Sequence, residues 1–331
     1  ARPGELGDRG GTAAEERARP SSAACALVSR PAFERHREAL RQAFLRGTSV
    51  EPWPHQLAAV LRILDELCGG GSCLSSSSSS SAPAPGADVA DVTRQNVLVQ
   101  HGTGSGKSYT MALLAWALRT LHGVGGPPCR GPGAPDPSSP GLVLVLILSD
   151  RRQLDQQLGD ACASFLRRNA VPQAQVRRCD GSGHDLCKAL GDIAAARTVG
   201  CRILLTTKQR FDRLFSGGGG GHAHGMLTPI LERGRVAIVC EEAHRSHYLG
   251  GCTPAVVNRV FGRHCLHEAA TMAGLQPKCI SYIGFTATPD ERALRLFGAR
   301  RQLGGDVGVW RPVHSYHVGA PMALVLVALR G

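Results

Sequence analysis

One octapeptide constrains this chain more than any other feature: His101-Gly102-Thr103-Gly104-Ser105-Gly106-Lys107-Ser108. Glycine at every second position lets the backbone turn tightly and brings its N–H groups to the surface. An apolar run, Asn96 to Gln100, precedes it, and Met111, Leu114 and Leu118 recur behind it at helical spacing. A strand, a glycine-rich loop and a helix opening on Lys-Ser form the context in which backbone amides and a helix N-terminus cradle phosphates. In such a loop Lys107 reaches the β- and γ-phosphates and the Ser108 hydroxyl ligates Mg²⁺. The strict pattern has glycine at position 101, where this chain has His101.

The rest of the chain alternates in a way that suits such a unit. Short apolar runs lie at Asn96 to Val99, Leu142 to Leu148, Ile203 to Leu205, Val236 to Cys240 and Ile280 to Phe285. They are continuous, as expected of parallel strands buried on both faces. Helical patterns separate several of them, for example Ser108 to Leu121 and Gln153 to Arg167. This alternation predicts a doubly wound α/β sheet. Residues 1–48 read as a polar, largely disordered tail ending in a helix from Pro31 to Phe44, with the folded unit over 49–331. Low-complexity inserts at 69–86, 123–140 and 217–221 bury too little apolar surface to offset their ordering entropy.

Two further strand ends carry chemistry. Val236 to Cys240 runs into Glu241-Glu242-Ala243-His244, and an apolar strand ending in paired carboxylates can hold Mg²⁺ and polarise an attacking water. Glu241 takes the metal side and Glu242 the water side. Ile283-Gly284-Phe285-Thr286-Ala287-Thr288-Pro289 ends in small hydroxyl residues that could lie near the γ-phosphate. Alone, the first could be a solvated helix start and the second is a common strand end. Their order after the glycine-rich loop gives them weight.

That order resembles motifs I, II and III of superfamily 2 helicases and translocases. Finer details are similar to the motor (R) subunits of type I restriction endonucleases: Gln100 to Met111, Asp150 to Leu158, Arg245-Ser246 after His244, Leu204 to Phe211, and Val313 to Tyr316. The resemblance covers roughly residues 50–320. It implies a single RecA-like lobe, a three-layer P-loop sandwich with a mostly parallel central sheet. It also implies ATP and Mg²⁺ as ligands, bound by Gln56 (adenine), Gly102, Thr103, Gly104, Ser105, Gly106, Lys107, Ser108, Glu241, Thr286 and Thr288. Lys107, Glu242 and His244 would be catalytic, with His244 linking the nucleotide to Thr286 and Thr288. Arg151 and Thr207 would lie on the DNA side, against backbone phosphates. Helix capping by Arg151 and a plain strand end at Thr207 are the alternatives. Double-stranded DNA is the implied track, with methylation and specificity subunits as partners in a restriction complex.

Departures from the pattern shape the expectation. Glu241 stands where the family has aspartate, one methylene shorter. The arginine finger that such motors take from a second lobe has no counterpart within these residues, and there is no room before residue 50 for a nuclease domain. The expected behaviour is nucleotide binding with slow hydrolysis. Another superfamily 2 repair or remodelling helicase, and a degenerate nucleic-acid-binding fragment without activity, remain open as alternatives.

Composition adds little. A net charge of +12 suits a polyanion partner, although Arg- and Ala-rich coding bias gives the same balance. None of the 12 cysteines forms a Cys-x-x-Cys pair, which points to small buried hydrophobes in a reducing compartment. His264, Cys265 and His267 with Cys252 upstream are the nearest approach to a metal cluster. No run reaches the ~20 apolar residues of a membrane helix. The expected setting is intracellular, in cytoplasm, nucleoid or nucleus, with an organelle left open. The chain begins with Ala1 rather than Met, as a piece of a longer protein would.

Overall fold

The computed structural model describes residues 22–68, 96–122, 141–150, 152–181, 183–195, 201–216, 220–244, 280–297, 299–301 and 309–317. Its centre is a sheet of seven parallel strands. In chain order these are β1 (Asn96–His101), β2 (Leu142–Ser149), β3 (Val176–Arg178), β4 (Arg202–Thr207), β5 (Arg235–Cys240), β6 (Ile280–Thr286) and, after a gap in numbering, β9 (His314–Tyr316). Their spatial order is β3-β4-β2-β5-β6-β1-β9, and every pairing is parallel. Between β6 and β9 in the chain, β7 (Ala299–Arg301) and β8 (Val309–Arg311) form a separate antiparallel pair.

The two-residue period of a strand explains why the runs are unbroken. In β2, Leu142, Val145 and Ile147 enter one core cluster, while Leu144, Leu146 and Leu148 enter another on the opposite face. A β-bulge between Leu142 and Leu144 accounts for the skipped step. In β5, Ala237 and Val239 divide in the same way from Val236, Ile238 and Cys240.

Four helices cover the first face: α1 (Ser22–Thr48), α2 (Pro54–Cys68), α3 (Lys107–His122) and α4 (Arg152–Arg168). The second face carries α5 (Gly183–Ala195), α6 (Lys208–Ser216), α7 (Gly220–Arg233) and α8 (Glu291–Phe297). The result is the three-layer α/β sandwich expected of a RecA-like lobe.

Three expectations change. The helix expected over 31–44 extends across Ser22–Thr48, and its end is not a tail. Leu40, Ala43 and Phe44 are buried in the first core cluster, and Phe44 meets Phe165 and Tyr109 edge to face at 6.1 and 6.2 Å. Charged neighbours such as Arg35, Arg37, Glu38 and Arg41 hide the apolar stripe in a composition-based reading. The boundary at 48 therefore cuts through the folded unit. Next, residues 220 and 221, assigned to the third insert, open α7. Finally, the short edge strand β3 has no apolar run of its own, and Val176, Arg177 and Arg178 are all half-buried. The inserts at 69–86 and 123–140 lie outside the described residues.

No helix among the described residues is long and apolar enough to cross a membrane. No group of three metal-ligating side chains occurs among them either, and Cys252, His264, Cys265 and His267 lie outside them.

Candidate active site

All the candidate motifs sit at the carboxyl ends of the parallel strands, where open α/β sheets place their sites. The glycine-rich loop leaves β1 and enters α3. Gly104 and Gly106 hold φ of 78° and 76°, a region L side chains rarely adopt. Thr103 and Gly104 are exposed at the rim and Ser105 is buried. The first N–H groups of α3 have no intrahelical acceptor, so they face the loop and carry the helix's partial positive charge. Lys107 lies across the loop, its Nζ donating to the carbonyls of His101 (3.3 Å) and Gly102 (3.4 Å).

Gln56, near the start of α2, braces this loop. Its Oε1 accepts the Trp53 N–H at 2.9 Å, and its Nε2 donates to the Gly106 carbonyl at 3.3 Å. His55, beside it, bonds the Ser105 carbonyl through Nε2 at 2.9 Å and stacks flat on Tyr316 of β9, ring centres 3.6 Å apart. The Gly102 N–H donates to the Tyr316 carbonyl at 3.0 Å.

The histidine that replaces the pattern's first glycine is a core residue. His101 is fully buried, its ring edge-on to His55 and Phe285, and its Nε2 lies 3.1 Å from Nδ1 of His314. Burial, with His314, His55 and Lys107 nearby, pushes His101 down to about 2. Burial, with His55, pushes His314 down to about 4. Both rings are therefore neutral near pH 7, one donating to the other.

Beyond β5, Glu242 adopts φ 44°, an unusual conformation for a residue with a side chain. Its Oε1 lies 3.6 Å from Lys107 Nζ and its Oε2 3.4 Å from His244 Nδ1. The His244 Nδ1 is in turn 2.5 Å from Thr286 Oγ1, which also accepts the Thr288 N–H at 3.2 Å. Thus the three strand ends at β1, β5 and β6 are joined by one polar chain: Lys107, Glu242, His244, Thr286. Thr286 is wholly buried and Thr288 exposed, so within this chain Thr286 faces His244 and Thr288 reaches the surface.

Glu241 is buried beside Glu242. Burial first, then the neighbouring Glu242, raises its carboxyl to about 7 against the opposing pull of Lys208 and Lys107. Its Oε2 is buried without a hydrogen-bond partner. An orphaned carboxylate oxygen, with Glu242 alongside and the Ser108 hydroxyl at the opening of α3, is an all-oxygen donor set that fits Mg²⁺.

On the far side of β5, Thr207 is buried and its Oγ1 accepts the Arg210 N–H at 3.3 Å. The hydroxyl therefore caps α6, as a strand-end threonine does. Arg151 lies outside the described residues. Sequence reasoning did not single out Lys208, which is buried behind Glu242 and donates to its carbonyl at 2.9 Å. A lone lysine after Thr-Thr gave no signal. His55, His314 and Tyr316 were likewise passed over as contacts of the loop, although the segments containing them were noted.

Residues 55–307 match the family described as SWI2/SNF2 ATPase. No curated protein matches the chain. Similar solved structures include the DUF1998 helicase MrfA bound to DNA and AMPPNP, at 16% identity and TM-score 0.46 over 82% of this chain and 29% of that one. Others are Mss116p bound to ssRNA and AMP-PNP (14%, TM-score 0.40, 61% and 33%) and T4 UvsW (13%, TM-score 0.35, 72% and 30%). The chain thus spans about a third of the length of these proteins.

Proposed function

Because the chain belongs to the SWI2/SNF2 ATPase family, we propose that it is the ATP-binding lobe of a superfamily 2 nucleic-acid motor. The observation that carries this reading is the chain of contacts from Lys107 through Glu242 and His244 to Thr286. It links a phosphate-type loop to two other strand ends. Lys107, Glu242 and His244 each keep some exposure, so a ligand on the loop can reach them.

In this reading the loop amides of 102–108 and Lys107 hold the β- and γ-phosphates, and Gln56 lies near the adenine. Ser108 and Glu241 hold Mg²⁺, which neutralises charge on the phosphates. Glu242 accepts a proton from the attacking water. The water oxygen bonds the γ-phosphorus, the bond to the β,γ-bridging oxygen breaks, and ADP and phosphate leave. His244 keeps the Glu242 carboxylate aimed and passes the state of the site to Thr286. Arg151 belongs on the nucleic-acid side, with Thr207 setting the position of α6 there. In the complete protein, hydrolysis drives movement along double-stranded DNA. The segments similar to type I restriction motor subunits favour that track, with methylation and specificity subunits as the corresponding partners. A lobe that binds without turning over is the second reading, and it is favoured by Glu241 standing where the motors this chain resembles carry the shorter aspartate.

The test is nucleotide binding and hydrolysis in two variants. Lys107→Ala should lose a fluorescent ATP analogue, and a variant that binds it as the parent does overturns the site. Glu242→Gln should keep binding and lose DNA-stimulated hydrolysis; unchanged turnover removes Glu242 from the chemistry.

A further inference from the structure

The segment after β5 is held from behind by a side chain that belongs to another strand end. Lys208 opens α6 directly after β4 and is only 4% exposed. Its Nζ donates to the Glu242 carbonyl at 2.9 Å and lies 3.8 Å from Asp150 Oδ1, at the end of β2. Gln209, next in α6, donates to the Asp150 carbonyl at 2.8 Å. Because β4, β2 and β5 are neighbours in the sheet, one buried ammonium ties three adjacent strand ends together.

The residue it grips is the strained one. Glu242 is one of three residues other than glycine with positive φ among the described residues, and such a conformation persists only where its surroundings over-determine it. The flanking backbone is fixed too: the Glu241 N–H donates to the Leu148 carbonyl at 2.9 Å and the Ala243 N–H to the Phe285 carbonyl at 2.9 Å. Packing alone gives no reason for a charge here. A buried ammonium is expensive to desolvate, and what offsets that here is its hold on the Glu242 carbonyl and on Asp150. What an apolar chain cannot do is hold the Glu242 carbonyl.

We propose that Lys208 is a positioning residue, which locks the Glu242 backbone in its left-handed turn and so aims the Glu242 carboxylate at Lys107 and His244. The inference rests on the hydrolytic role proposed for Glu242. Lys208 touches neither substrate nor reacting atoms, and its effect falls on turnover rather than on nucleotide affinity.

The experiment compares the parent chain with Lys208→Met, which keeps the length and removes the donor and charge. Single-turnover hydrolysis of radiolabelled ATP should fall ~30–100-fold, since ångström-scale misplacement of a reacting group costs rates of that order. Binding of the fluorescent ATP analogue should stay within about twofold. The melting temperature should fall somewhat, because Asp150 and the Glu242 carbonyl lose a buried partner, so hydrolysis is assayed well below it; amide exchange should quicken over 241–244. Lys208→Gln, which retains a neutral N–H donor, should keep more hydrolysis than the methionine variant. Hydrolysis equal to the parent's in the folded methionine variant, or lost only in step with affinity, overturns the proposal, as does equal activity of the Gln and Met variants. The two readings fail separately. An active Glu242→Gln sinks the proposed chemistry, whereas an inactive Glu242→Gln beside a fully active Lys208→Met sinks only the role of Lys208.

Discussion

Gln56 occupies the space that a side chain at position 106 would need: a Cβ built on Gly106 would lie 2.5 Å from Gln56 Nε2. The loop and α2 therefore lie close together; the φ of 76° requires the glycine, and any side chain there would also make the Gln56 amide give up its bond to the loop.

Gly106→Ala should accordingly destabilise the fold by roughly 1–3 kcal/mol, the range for a side chain forced into such a backbone conformation. Adding Gln56→Ala removes the collision but not the strain, so the double variant should recover only part of the loss. Urea unfolding of the two single variants and the double variant measures this, and full recovery would show that strain at 106 is negligible.

Phe44→Ala should cost ~3–5 kcal/mol, the range for emptying a well-packed aromatic site. Phe44 is buried in the core cluster it shares with Phe165. Removing residues 1–48, and with them buried Leu40, Ala43 and Phe44, should abolish cooperative unfolding. A stable, cooperative 49–331 fragment would return α1 to the status of a tail.

Stability should fall as the medium is acidified. His101 and His314 have folded values near 2 and 4, below the ~6.5 of an unfolded histidine. Between those limits the unfolded chain binds more protons, so each group contributes stability that is present above pH ~6.5 and lost as the pH drops. For each proton taken up the slope approaches about 1.4 kcal/mol per pH unit. For His314 the window runs from about 6.5 down to about 4, and for His101 on towards about 2. His314→Asn should flatten the difference in unfolding free energy between pH 7 and pH 5, and a variant with the parent's slope refutes the assignment.

Glu241→Asp shortens the buried carboxylate by one methylene and restores the residue type of the motors this chain resembles. If Glu241 limits turnover through geometry, hydrolysis should rise ~10–100-fold with little change in analogue binding. Equal or lower turnover would show that the site has adapted to glutamate. Stopped-time assays of phosphate release decide between these outcomes.

The five main strands and helices α3 and α4 were legible because both faces of the sheet are covered. Parallel strands in that setting are apolar without interruption, and Leu142 to Leu148 shows this most plainly. The loop at 101–108 and the pair Glu241-Glu242 could be located for a different reason, since short local patterns mark them and their place at strand ends. What escaped depends on distant partners. The apolar stripe of α1 is diluted by charges, and β3 is a strand only because β4 lies beside it. The character of His101 as a core residue follows from His314 and Phe285, which no local window contains. Lys208 is the sharpest case. Its burial arises from three strand ends brought together by the sheet order, and nothing in Thr207-Lys208-Gln209 announces it.

The pairing of His101 with His314 spans 213 positions of the chain, and the same strand, β9, supplies the carbonyl that fixes the first loop amide. The loop is thus completed by a strand 213 positions further along the chain. During synthesis β1 and α3 emerge early, yet the strand that steadies them leaves the ribosome only after nearly all the rest of the lobe. A nascent chain stalled before residue 314 would already expose its glycine-rich loop, braced from α2 alone and without the contacts of β9, so full competence to hold a ligand should arrive late rather than build up with length.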